Sequence, residues 1–210
     1  MDRRNPADIE DPDNWDGGFY ELTIELGARD DTRLDRALRS LWRAAEIEGC
    51  FALASSNSAT NHVPVDLSLA SLERSGHLRG TIQPTGFGRV VAGTVTVRFD
   101  GAEDWLDLYV PMAALAASDP RVGSFPFGPD GENRSLSWRR SIDEWFAQVG
   151  KSVFADVPFK RAAIGLELDS GHIDQQLTAR PEERMCAFLI PTGGILAYLP
   201  ATASPTATFG

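Results

Sequence analysis

Residues 77–110 read HLRGTIQP, TGFG, RVVAGTVTVRF, DGAED and WLDLYV, three strand-forming runs separated by two glycine-bearing turns. Alternation of side chains along the runs and turn chemistry between them predict an antiparallel meander. In the middle run Val91, Val95, Val97 and Phe99 fall on one face, and Thr94, Thr96 and Arg98 on the other. That pattern predicts a sheet with its valines inward and its threonine face in water.

Working outward, FYELTIEL (19–26) alternates in the same way and predicts a first strand. A helix is expected from Thr32 to Ile47. Thr32 and Asp35 have capping-box spacing, Gly49 lies just beyond the end, and Leu34, Leu38, Leu41 and Ala45 share one face. CFALA (50–54) predicts a short strand, and LSLASLERS, stopped by Gly76, a short helix.

After the meander, GSFPFGPDGENRSLSW (123–138) predicts a long connection over residues 119–140, and Ser141 with Glu144 predicts the start of another helix. Ile142, Trp145, Phe146, Val149, Val153 and Phe154 recur at helical intervals there. Gly150 inside that run costs about 1 kcal/mol relative to alanine. FKRAAIGLEL (159–168) predicts a strand, and MCAFLIP-TGG-ILAYLP (185–200) a closing hairpin apolar enough to be central and covered.

Strands outnumber helices and cluster in hairpins, so the expected class is α+β. One domain over 17–200 would hold a largely antiparallel sheet of about 7–8 strands, two longer helices and one or two short ones. Residues 1–16, with six acids against two arginines, are expected as a flexible acidic arm, and 201–210 as a flexible tail. A chain of 210 residues can bury about 70% of its unfolded surface, so neither disulfide nor metal is needed to staple it.

A net charge of −10 argues against nucleic acid and against anionic membranes as partners. Cys50 and Cys186 lie in apolar runs and are read as small hydrophobes. With neither a secretory leader nor an apolar run of membrane-spanning length, the expected location is cytoplasmic.

No nucleotide loop, nucleophile elbow or zinc-protease motif occurs, and no cofactor or metal is expected. His172 and Asp174 form an H-x-D in a predicted loop and are the candidate catalytic pair, because histidine titrates near neutrality. Arg33, Arg36 and Arg43, with Arg29 and Arg39, cover an arc opposite the leucine face of the first helix. Guanidinium forks suit carboxylates and phosphates, so the three are candidate binding residues. Phe125 and Phe127, bracketed by Pro120, Pro126 and Pro129, either anchor the 119–140 loop or line a cleft.

The leading expectation is a non-catalytic cytosolic binding module, an acidic protein that neutralises or escorts a protein partner. The alternatives are a small hydrolase or transferase working near His172 and the 119–140 loop, and an oligomeric structural subunit. An exposed apolar strand edge in the closing hairpin would be the signature of the last.

Overall fold

The computed structural model describes residues 4–54, 60–98, 103–127, 133–168, 173 and 182–204. The strands among them are β1 (Phe19–Ala28), β2 (Glu48–Leu53), β3 (His62–Pro64), β4 (His77–Ile82), β5 (Val90–Val97), β6 (Glu103–Pro111), β7 (Arg161–Leu166), β8 (Ala187–Thr192) and β9 (Ile195–Leu199). The helices are α1 (Asp31–Ala44), α2 (Leu69–Ser75), α3 (Met112–Ser118) and α4 (Leu136–Asp156). The class is α+β, with nine strands in one sheet, antiparallel at every pairing, in the order β3-β2-β4-β5-β6-β1-β7-β8-β9.

The predicted meander is β4, β5 and β6, and β1 lies beside it, between β6 and β7. Every residue of β1 from Tyr20 to Gly27 is buried, so both faces of this strand are covered. Tyr20, Leu22, Ile24 and Leu26 join the main core with Leu34, Leu38 and Leu41 of α1 and Phe146, Val149 and Val153 of α4. Alternation sends Glu21, Thr23 and Glu25 to the opposite face.

The face assignment of β5 differs from the expectation. Thr94 is fully buried on the helix side, where its hydroxyl accepts a hydrogen bond from the indole of Trp42 at 3.1 Å, while Val95 and Val97 are only half-buried. A threonine is tolerated there because a partner on α1 satisfies its hydroxyl. Arg98, read as solvent-facing, is 8% exposed and holds Asp31, Glu73 and Asp104 at 2.6, 2.7 and 2.8 Å. It ties the start of α1 and the middle of α2 to the β5–β6 pair.

Helix α1 is capped by Asp30, two residues earlier than the Thr32–Asp35 reading. The Asp30 carboxylate accepts from the Arg33 amide at 3.0 Å, and Asp35 instead accepts from the Leu69 amide at 2.8 Å, joining α1 to α2. Helix α4 begins at Leu136, so Ser141 is an interior residue and not a start signal.

Gly150 lies where α4 presses on the sheet. A Cβ built there would run into Leu189 Cδ1 and touch Leu22. Helix propensity alone has Gly150→Ala stabilising by about 1 kcal/mol. The packing reverses the sign, and the expected result is a loss of about 1–3 kcal/mol from overpacking. A urea unfolding midpoint at or above that of the wild type would contradict this.

Both chain ends, expected as flexible, make contacts with the body of the protein where they are described. From Arg4 onward the N-terminal segment packs on the sheet. Pro6 accepts from the Val91 amide, the buried Asn14 side chain donates to Asn5 and Asp8 carbonyls, and Glu10 accepts from the Asn61 and His62 amides. At the other end Thr202 and Ala203 donate to the Arg184 carbonyl, and Ser204 is 8% exposed.

The closing hairpin is also relocated. It occupies the edge of the sheet, with β9 outermost and Ile195 74% exposed. Its apolar character is used chiefly in β8, which is covered by α4 on one face and by a second cluster with Ala163, Ile173 and Trp105 on the other. No helix among the described residues is long and apolar enough to cross a membrane.

Candidate cleft between α4 and β9

The edge strand is set by its turn. Gly193 and Gly194 have φ of +59° and +84°, the left-handed pair that a two-residue hairpin turn requires, and pairing runs from Thr192–Ile195 to Phe188–Leu199 without a register shift. Leu196 and Tyr198 point toward α4 and pack on the main core. Past Pro200 the chain folds over the start of α4, where the Ser204 and Ser135 hydroxyls lie 2.5 Å apart.

Between this strand and α4 lies a cleft of about 530 Å³. Leu136, Arg140, Asp143 and Glu144 line it from the helix, and Tyr198 and Thr202 from the opposite wall. Behind it is a buried polar network. The Tyr20 hydroxyl donates to Asp143 Oδ1 at 2.5 Å, and Arg139 Nε donates to the Tyr20 oxygen at 2.9 Å. The rest of the Arg139 guanidinium donates to the Ala203 carbonyl at 3.2 Å and the Met185 carbonyl at 2.5 Å. Arg139 is 1% exposed, so one guanidinium fixes α4, β1 and both ends of the closing hairpin.

Burial pushes the Asp143 carboxyl up to about 6, against the pull of Arg139 and the Tyr20 hydrogen bond. Burial, and then Asp143 and Glu144, push the Tyr198 phenol above its usual range. The cleft therefore has a floor carboxyl that changes charge near neutrality, beside an aromatic wall.

A second polar layer covers the sheet face away from the helices. Glu21, Thr23, Asp107 and Tyr109 meet across the β1–β6 register, and Tyr109 shares a hydrogen bond with His77 Nδ1 at 2.9 Å. Burial and then Asp107 push Glu21 up to about 8, and burial pushes Asp107 up to about 7. Further along, the Arg79 guanidinium stacks 4.1 Å over Trp15 and meets His62 Nε2 at 2.8 Å. Among the described residues no three His, Cys, Asp or Glu side chains gather as a metal ion requires.

The sequence candidates are dispersed. Arg33 donates to the Ala28 carbonyl, Arg43 pairs with Asp156, and Arg39 pairs with Asp35 at 2.8 Å, which leaves Arg36 as an exposed member of that arc. Phe125 is 4% exposed and meets Trp138 edge-on at 5.1 Å, an anchor of its loop, while Phe127 is 49% exposed. His172 and Asp174 lie outside the described residues. Burial pushes the Cys50 and Cys186 thiols up to about 11 and 12, and the two sit toward opposite ends of the sheet, in β2 and just before β8.

Sequence reasoning missed Tyr20, Arg139, Asp143 and Tyr198. One signal was present. Arg139 and Asp143 are four apart and continue into Ala147 and Gly150, so they share the small-residue flank of the Trp138–Ile142–Phe146 stripe. Searches against protein-family models, the curated proteins and the solved structures find no match to this chain.

Proposed function

We propose that this chain is a non-catalytic protein-binding module that takes an extended segment of its partner along the outer edge of β9. The observation that carries this reading is the contrast between the two sheet edges. At one end β3 is three residues long and ends in Pro64, the kind of blunting that prevents strand pairing. At the other, β9 is ILAYL, with no charge, proline or bulge, and nothing among the described residues pairs with its outer side. An open apolar edge of this kind is the template for strand addition. Main-chain hydrogen bonds supply affinity, and a neighbouring cleft selects side chains. The acidic charge supports encounter with a basic partner, and a cytoplasmic setting goes with the separation of Cys50 from Cys186.

Ile195→Lys places a charge on a side chain that is already 74% exposed, so the fold should tolerate it. The untagged protein isolated from its host is expected to carry a second polypeptide in native mass spectrometry, and the Ile195→Lys variant to lose it at unchanged melting temperature. A partner retained by the variant argues against the edge. The same open edge also favours a second reading, pairing of β9 with β9 of another copy, which a doubled mass lost in the variant would establish.

A further inference from the structure

We infer that the α4–β9 cleft receives a cationic side chain, lysine or arginine, projecting from the segment that pairs with β9. The inference rests on the strand-addition reading and names what the partner must carry.

Asp143 lines the cleft and is 2% exposed. Among the described residues its carboxyl makes one hydrogen bond, from Tyr20 to Oδ1, and no ion pair. Arg139, one helical turn before it, acts on it through space, but the guanidinium's hydrogen bonds go to Tyr20, Ala203 and Met185. Glu144, exposed on the same flank, likewise has no ion pair among the described residues. The Tyr198 ring forms the opposite wall, with Lys151 Nζ 5.9 Å from its centroid.

Among the described lining residues two carboxyls and an aromatic ring face the cleft with one cation, Arg140, while Arg139 is buried behind Asp143. A ligand carboxylate would have to approach both acids with only Arg140 to receive it. A guanidinium or ammonium would instead meet two acids and a π face. Alternate side chains of an added strand point to the helix side, so one of them reaches the cleft beside Tyr198.

Binding of this kind is linked to protons. The groups facing Asp143 are Tyr20 on β1, Tyr198 on β9, Cys186 just before β8, and Arg139, Arg140 and Glu144 on α4. An entering cation favours the ionised carboxylate, so affinity rises as pH increases through the region where Asp143 titrates, about 6.

The test uses the full chain and three probes followed by NMR: the N-acetyl methylamides of arginine, lysine and norleucine. Saturable shifts are expected at the amides of residues 136–144 and 198–202 with the two cationic probes. The neutral norleucine probe should bind at least about tenfold more weakly. Affinity for the arginine probe should rise several-fold from pH 5 to pH 7, and Asp143→Asn should flatten that rise. Glu144→Gln, at an exposed position, should weaken the probe two- to fivefold in a chain that folds normally.

Equal binding of norleucine, a pH-independent affinity, or no effect of Glu144→Gln would each overturn the inference. Strand addition is judged separately. If Ile195→Lys releases the partner while cationic probes fail to bind, only the side-chain inference falls. If the probes bind and Ile195→Lys keeps its partner, the edge reading falls instead.

Discussion

Arg139→Met is expected to destabilise the protein by about 3–5 kcal/mol, the cost of removing one member of a buried charged network while the others stay buried. The substitution keeps most of the side-chain volume, so the loss is polar. It leaves the Tyr20 oxygen, the Met185 and Ala203 carbonyls and the Asp143 carboxyl without the guanidinium that now serves them. Arg139→Lys should recover only part of it, because an ammonium cannot span β1 and both ends of the hairpin as a planar fork does. In urea the midpoint should fall while the slope is unchanged. A midpoint within error of wild type would mean that the network is not what holds the closing hairpin to α4.

The second large effect is a stability that falls as pH rises through neutrality. Glu21 and Asp107 sit on one buried face, with folded values raised to about 8 and about 7 from ordinary values of 4.5 and 3.8. Between those limits the folded state binds more protons than the unfolded state, so unfolding free energy decreases with pH. The stabilisation is complete below about pH 4 for these two groups and is lost by about pH 8. Carboxylates such as Asp31, Asp35 and Glu48, held low by Arg98, Arg39 and Arg89, and His62 and His77, held low by burial, act in the opposite sense, costing stability as pH falls from their ordinary values through their lowered ones. The combined expectation is greatest stability between about pH 4 and 6. Asp107→Asn removes one of the opposing charges and should raise stability at pH 8 by about 2–4 kcal/mol, roughly three pKa steps at 1.36 kcal/mol each as an upper bound. At pH 5 the same variant should differ little. A wild-type protein more stable at pH 8 than at pH 5 would contradict the buried-acid account.

The class of the fold was legible because it depends on local pattern. The turn at Gly86–Gly88, the alternation of FYELTIEL and the leucine face of α1 need no knowledge of distant segments. What failed needed that knowledge. Thr94 reads as wet until Trp42 of α1 is found above it. The closing hairpin reads as central because its composition is that of a covered strand, but strand order depends on how β7 returns beside β1. Arg139 and Arg140 are adjacent and chemically identical in the sequence. Only the packing of α4 sends one into the core and leaves the other at the cleft. Sites built from pairs such as Tyr20 and Asp143, 123 residues apart, are assembled by tertiary structure and leave little local trace.

The most direct test of strand addition is hydrogen exchange of the complex isolated from the host, read at the amides of β9. The account predicts that residues 195–199 exchange faster in the free protein and become strongly protected when the partner is bound, with further protection along residues 136–144 of α4. A bound partner that leaves β9 exchanging as in the free protein would contradict it.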